Sequence, residues 1–176
     1  RFTMRHKLIA IRSQRVTEFT DREGLAACIQ SLPAGTTRRV LEIVTQVIRD
    51  HEPFLRQSAN RPITPDSTRG ELCLRRCYVS CEEVGTRLVE GLEDGLVEIE
   101  MVLLNGRWKA TGVPIEDPIT IHYTLTVSIP GEKLIMVDLA PAQFEAFAHL
   151  EFRILIGEDS EVYKRHNRIF SDILDP

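Results

Sequence analysis

Aromatic residues are scarce in this chain, 6% of 176 positions, so any core must be built mainly from aliphatic side chains. Cysteine is scarce too. Cys28, Cys73, Cys77 and Cys81 are the full set, too few for a disulfide scaffold at this length. No signal-peptide pattern precedes them, and they read as reduced thiols in a cytosolic setting. No apolar run approaches the ~20 residues of a membrane span, so any membrane contact is expected to be peripheral. Chemical motifs are missing as well: there is no P-loop, no dinucleotide fingerprint and no zincin pattern. No internal repeat, low-complexity segment or linker divides the chain.

What is present suits one ordinary domain over residues 1–176, with 43% hydrophobic residues to form its core. The net charge of −4 argues against the chain as a whole binding polyanions, but the charge is uneven. Residues 1–15 hold Arg1, Arg5, Lys7, Arg12 and Arg15 and no acid, a net of +5 that leaves −9 for the remainder. Residues 82–100 set Glu82, Glu83, Glu90, Glu93, Asp94, Glu98 and Glu100 against Arg87. Such polarity suits head-to-tail contact between copies, or contact of the basic end with an anionic surface. The plainer alternative is two solvated faces that keep the protein soluble. The chain opens on Arg1, so a natural start and an N-terminal arm are expected upstream.

Periodicity predicts the elements. Residues 4–13 read as a strand with uneven alternation. Thr20-Asp21-Arg22-Glu23 reads as a capping box opening a helix over Asp21–Ser31, with Leu25, Ala26, Cys28, Ile29 and Leu32 at 3–4 spacing. Pro33-Ala34-Gly35 ends it. A second helix capped by Thr36 or Thr37 runs to His51, with Val40, Leu41, Val44, Val47 and Ile48 on one face. The short connection implies an antiparallel helix pair. Residues 52–70, with Pro53, Pro62 and Pro65, form a long loop expected to be mobile, and Arg56, Arg61 and Arg69 make it a candidate self-association loop.

After the loop the period changes to two. Strands are predicted over Leu72–Cys81, Thr86–Leu92 and Leu96–Leu104, with Asp94-Gly95 and Asn105-Gly106 as hairpin turns. The clearest strand lies within Asp117–Pro130. There Ile119, Ile121, Tyr123, Leu125, Val127 and Ile129 alternate with Thr120, His122, Thr124, Thr126 and Ser128, which predicts one buried and one wet face. Pro130-Gly131 turns the chain into a partner strand, Lys133–Leu139. Pro141 starts a helix reaching Leu150. Residues 152–156 fit helix or strand equally, and Ser160 caps a last helix through Arg168. The fold class is therefore α+β: an antiparallel sheet of about five strands, packed on one face by a helix pair, with a C-terminal helical region.

Candidate chemistry is thin. Cys73, Cys77 and Cys81 recur every four residues, but structural zinc wants paired short spacings and a fourth ligand; small buried thiols explain them as well. His6, His51, His122, His149 and His166 are scattered, and none adjoins a nucleophile motif. Glu93, Asp94, Glu98 and Glu100 could pair as carboxylates, though Glu98 and Glu100 share a strand face of the kind that is normally solvated. No catalytic residue, metal ligand or cofactor is expected. The anion-binding candidates are Arg1, Arg5, Lys7, Arg12 and Arg15, suited to anionic headgroups at roughly 1 kcal/mol each, or to a nucleoprotein. A solvated edge strand protected by its charges explains them equally.

Phe2-Thr3 before a basic strand, Arg12-Ser13-Gln14-Arg15, Thr20-Asp21 and Ala26-Ala27 together resemble the start of the globular domain of rhabdovirus matrix proteins. The element order is similar over residues 2–130, and the length is that of the shorter matrix proteins of plant-infecting members. The resemblance implies a non-enzymatic structural protein that polymerises with itself. Such a protein binds the viral nucleocapsid and the anionic inner face of the envelope, engages host factors, and drives assembly and budding. It implies residence in the virion beneath the envelope, in the host cytoplasm and inner membrane surface, and in the nucleus. The family's lysine-rich arm and proline-tyrosine motif are not in this sequence, which leaves the budding partner open. Two other classes stay open beside it: a nucleic-acid-binding movement or silencing-suppressor protein, and a small-ligand-binding or enzymatic α+β domain.

Overall fold

The computed structural model describes residues 16–50, 81–108, 119–141, 147 and 149–172. The expected strands at 4–13 and 72–80, the loop at 52–70 and most of the expected helix after Pro141 lie outside the described residues.

Five strands make one antiparallel sheet: β1 (Val16–Phe19), β2 (Leu96–Trp108), β3 (Ile119–Ser128), β4 (Leu134–Asp138) and β5 (Arg153–Gly157), in the order β1-β5-β4-β3-β2. Among the described residues four helices accompany it: α1 (Arg22–Ser31), α2 (Thr36–Asp50), α3 over residues 81–91, and α4 (Asp159–Asp172). The predicted α+β class is the observed one.

Helix α1 begins one residue later than its sequence suggests. Asp21, not Thr20, is the cap: its Oδ1 accepts from the Gly24 amide at 2.7 Å. A carboxylate there both satisfies an orphan amide and complements the helix dipole. Helix α2 buries the expected stripe, Val40, Leu41, Val44, Val47 and Ile48, and adds Ile43. These side chains meet Leu125, Val127, Ile135, Val137, Phe152 and Ile154 of the sheet in the main core.

Residues 86–91 are helix rather than the predicted strand. Cys81, Val84, Gly85 and Leu88 fall at i, i+3, i+4 and i+7 and are buried, so burial follows a helical period. Asp94-Gly95 consequently turns a helix into β2 rather than closing a hairpin, and Gly95 supplies a φ of 121° that other residues resist. Asn105-Gly106 is no turn either. Strand β2 runs on to Trp108, with a register shift between Leu103 and Trp108. Pro130-Gly131 behaves as expected: Glu132 N donates to Ile129 O at 3.0 Å and Gly131 has φ 73°, a type II turn joining β3 to β4. Residues 153–157 resolve as strand β5, and the last helix starts at Asp159.

The largest departure concerns the face of β3 expected to be wet. His122, Thr124 and Thr126 are at most 1% exposed. Helix α4 lies over that face, touching β1, β2, β4 and β5. Val162 packs with Leu134, Met136 and Leu155 in a second apolar cluster, flanked by Val16 and Tyr163. Helices therefore cover both faces of the sheet, α1–α3 on one and α4 on the other. Threonine permits this because its methyl group and stem pack well while its hydroxyl is small.

Candidate functional site

Strand pairing brings a row of ionisable residues together on the α4 side of the sheet. Register places Asp138 of β4 opposite Arg153 of β5. The Arg153 guanidinium donates to Glu18 of β1 at 2.8 Å and lies 4.8 Å from the centre of the Phe147 ring. Arg165 of α4 reaches the same carboxylate, 3.4 Å from Oε2. On the other side of Asp138, its Oδ2 lies 2.8 Å from His122 Nε2, and its Oδ1 accepts from the Ala140 amide at 2.9 Å. A chain of charge thus crosses four strands and α4: Arg165, Glu18, Arg153, Asp138, His122.

Asp138 and Arg153 are each 4% exposed and His122 is fully buried. Burial by itself would raise the Asp138 carboxyl. The His122 charge and hydrogen bond, the Ala140 amide and the Arg153 charge together outweigh burial and hold it below the ordinary carboxylate range. Farther along the same face, Tyr163 of α4 donates to Glu100 of β2 at 2.9 Å. Desolvation, followed by that hydrogen bond and the charges of Glu100, Asp159 and Glu98, pushes the tyrosine up to about 12. His166 of α4 is also buried, 3% exposed.

A histidine oriented by a carboxylate is half of an acid–base constellation. The next hydroxyl along β3, Thr124, has no hydrogen-bond partner among the described residues. Strand spacing sets it two residues, roughly 7 Å, from His122. Among the described residues, two grooves open elsewhere. One, of about 470 Å³, is lined by Phe19, Cys28, Leu32, Pro33, Arg38 and Ile156. The other, of about 570 Å³, is lined by Leu96, Ile129, Pro130, Glu132, Leu134 and Asp159. Neither is lined by the His122–Asp138 pair. Burial raises the Cys28 thiol in the first groove, which lowers its thiolate content and its reactivity.

The residues singled out in sequence fare unevenly. Arg1, Arg5, Lys7, Arg12, Arg15, Arg56, Arg61 and Arg69 lie outside the described residues, as do Cys73, Cys77, His6 and His51. Cys81 is a buried thiol in the core. Glu98 is exposed, whereas Glu100 is half-buried against Tyr163. Among the described residues no group of His, Cys, Asp and Glu is suited to hold a metal ion. No described helix is long and apolar enough to cross a membrane. Sequence reading missed Glu18, Asp138, Arg153 and Tyr163. Asp138 and Arg153 each stand at the end of an aliphatic run, Leu134–Val137 and Ile154–Ile156, and a charge adjoining such a run is the signal of a buried pair.

No protein-family model, curated protein or solved structure matches this chain.

Proposed function

We propose that this is a structural matrix protein of an enveloped virus, which self-associates and links the nucleocapsid to the inner face of the envelope during assembly and budding. One observation carries this reading: among the described residues, Glu18, Arg153, Asp138 and His122 of the sheet are paired among themselves on the α4 side. Paired, buried groups hold elements in register; they do not meet a substrate. What the protein offers its surroundings is surface.

The charge asymmetry of the sequence gives that surface its partners. The basic residues of 1–15 suit anionic headgroups and the nucleocapsid, and the acid surplus elsewhere suits a neighbouring copy. The protein would then reside in the virion beneath the envelope and, before assembly, in the host cytoplasm, at its inner membrane surface and in the nucleus. The test is sedimentation with liposomes containing anionic lipid, alongside light scattering as salt is lowered. Binding and polymerisation that both fade with added salt are expected. A protein that stays monomeric and ignores such liposomes at low salt contradicts the reading.

A further inference from the structure

We propose that the groove between β1, the α1–α2 connection and the β3–β4 turn binds a small amphiphilic acid: one unbranched apolar chain ending in a carboxylate, the chemistry of a free medium-chain fatty acid. Binding there requires no second copy of this chain.

The groove has an apolar lining. Phe19 of β1 and Ile156 of β5 come from the sheet, and Cys28 and Leu32 come from α1 and its end. All four pack against the main core, yet each keeps part of its surface in solvent. Pro33 continues this surface along the α1–α2 connection. The opening holds about 470 Å³, within the roughly 300–1,000 Å³ of small-molecule sites, which are likewise mostly apolar with a few polar groups that fix orientation. A ligand chain laid there takes its own apolar surface and that of the lining out of water.

The polar groups of the lining favour an anion. Two cations stand there, Arg38 and Lys133, against one acid, Glu132. Arg38 is fixed in place: its guanidinium donates to the Leu32 carbonyl at 3.1 Å and to Glu42 at 3.0 Å, which leaves further N–H groups of the same planar fork for a ligand. Lys133 is exposed and forms no ion pair among the described residues. Glu132 is held by the Thr37 hydroxyl, which donates to its carboxylate. Gly35 and Thr37 also place the start of α2 on this wall. The first turn of α2 carries no acid, so the partial positive charge of the helix end adds to the two cations. The second groove differs in this respect: Glu132 and Asp159 line it with no cation, so it does not suit a carboxylate. Cations beside an apolar cleft select a ligand that is apolar along its length and negative at one end.

Calorimetric titration of the full chain with decanoate, below its micelle concentration, tests this. One-to-one binding is expected. Decanol and decylammonium keep the chain but change its end, and should bind at least about tenfold more weakly. Lys133→Glu should weaken decanoate about fivefold, and Glu132→Gln should tighten it. Both replace exposed residues, and circular dichroism of each variant should match wild type. Cys28 reports the location: saturating decanoate should slow its alkylation by iodoacetamide several-fold, followed by peptide mass. The inference is overturned by absence of binding, by decanol binding as tightly as decanoate, by unchanged affinity in both charge variants, or by binding that leaves the alkylation rate of Cys28 unaltered. Protection of Cys28 by phosphatidylglycerol vesicles but not by decanoate also overturns it, and assigns the groove to a membrane lipid.

Discussion

His122 and Asp138 hold each other in a place where neither would be stable alone. Removing one partner leaves the other buried without its counter-charge, so His122→Ala should cost about 3 kcal/mol in a denaturant titration. The carboxyl of Asp138 is held below its unfolded value, so its contribution is complete above the ordinary carboxylate range and is lost as pH falls through the folded value. Wild-type stability should therefore decline below about pH 4, and Asp138→Asn should flatten that decline. Tyr163 has the opposite sign. Its folded value of about 12 lies above the ordinary 10, so its contribution is complete below 10 and disappears as pH rises through 12. Phenolate absorbance should show a late-titrating component that Tyr163→Phe removes and Glu100→Gln brings earlier. Gly95 is the backbone counterpart. At φ 121° a side chain is strained, and Gly95→Ala should destabilise by about 1–2 kcal/mol in the same titration.

Strong periodic elements were legible and their coverings were not. The alternation of β3 established that its two sides differ, and the side with Leu125 and Val127 does form the core. Alternation says nothing of what lies over the other side. The sequence predicts a helix from 160, but nothing local assigns its apolar positions, Val162 and Tyr163, to that face. Helix α3 shows the converse error. Thr86, Leu88, Glu90 and Leu92 can be read at period two, yet Cys81, Val84 and Leu88 fit a helix. The deciding fact, burial against α2 and β3, lies outside any local window. The charge row was the least legible part. It assembles from β1, β3, β4, β5 and α4, and Glu18 and Arg153 are 135 positions apart in the chain. Because α4 touches four strands, its loss should uncover His122, Thr124 and Thr126 together.

At the scale of the molecule, a sheet covered by helices on both faces keeps the His122–Asp138 pair inside. If the chain self-associates as proposed, the balance of +5 in residues 1–15 against −9 elsewhere would make that association electrostatic, with affinity that falls steeply as salt screens it. The most direct measurement is sedimentation velocity of the full chain across a series of decreasing salt concentrations. Species larger than the monomer should appear as salt is lowered and revert when it is restored. A single monomeric boundary at every salt concentration would contradict the account.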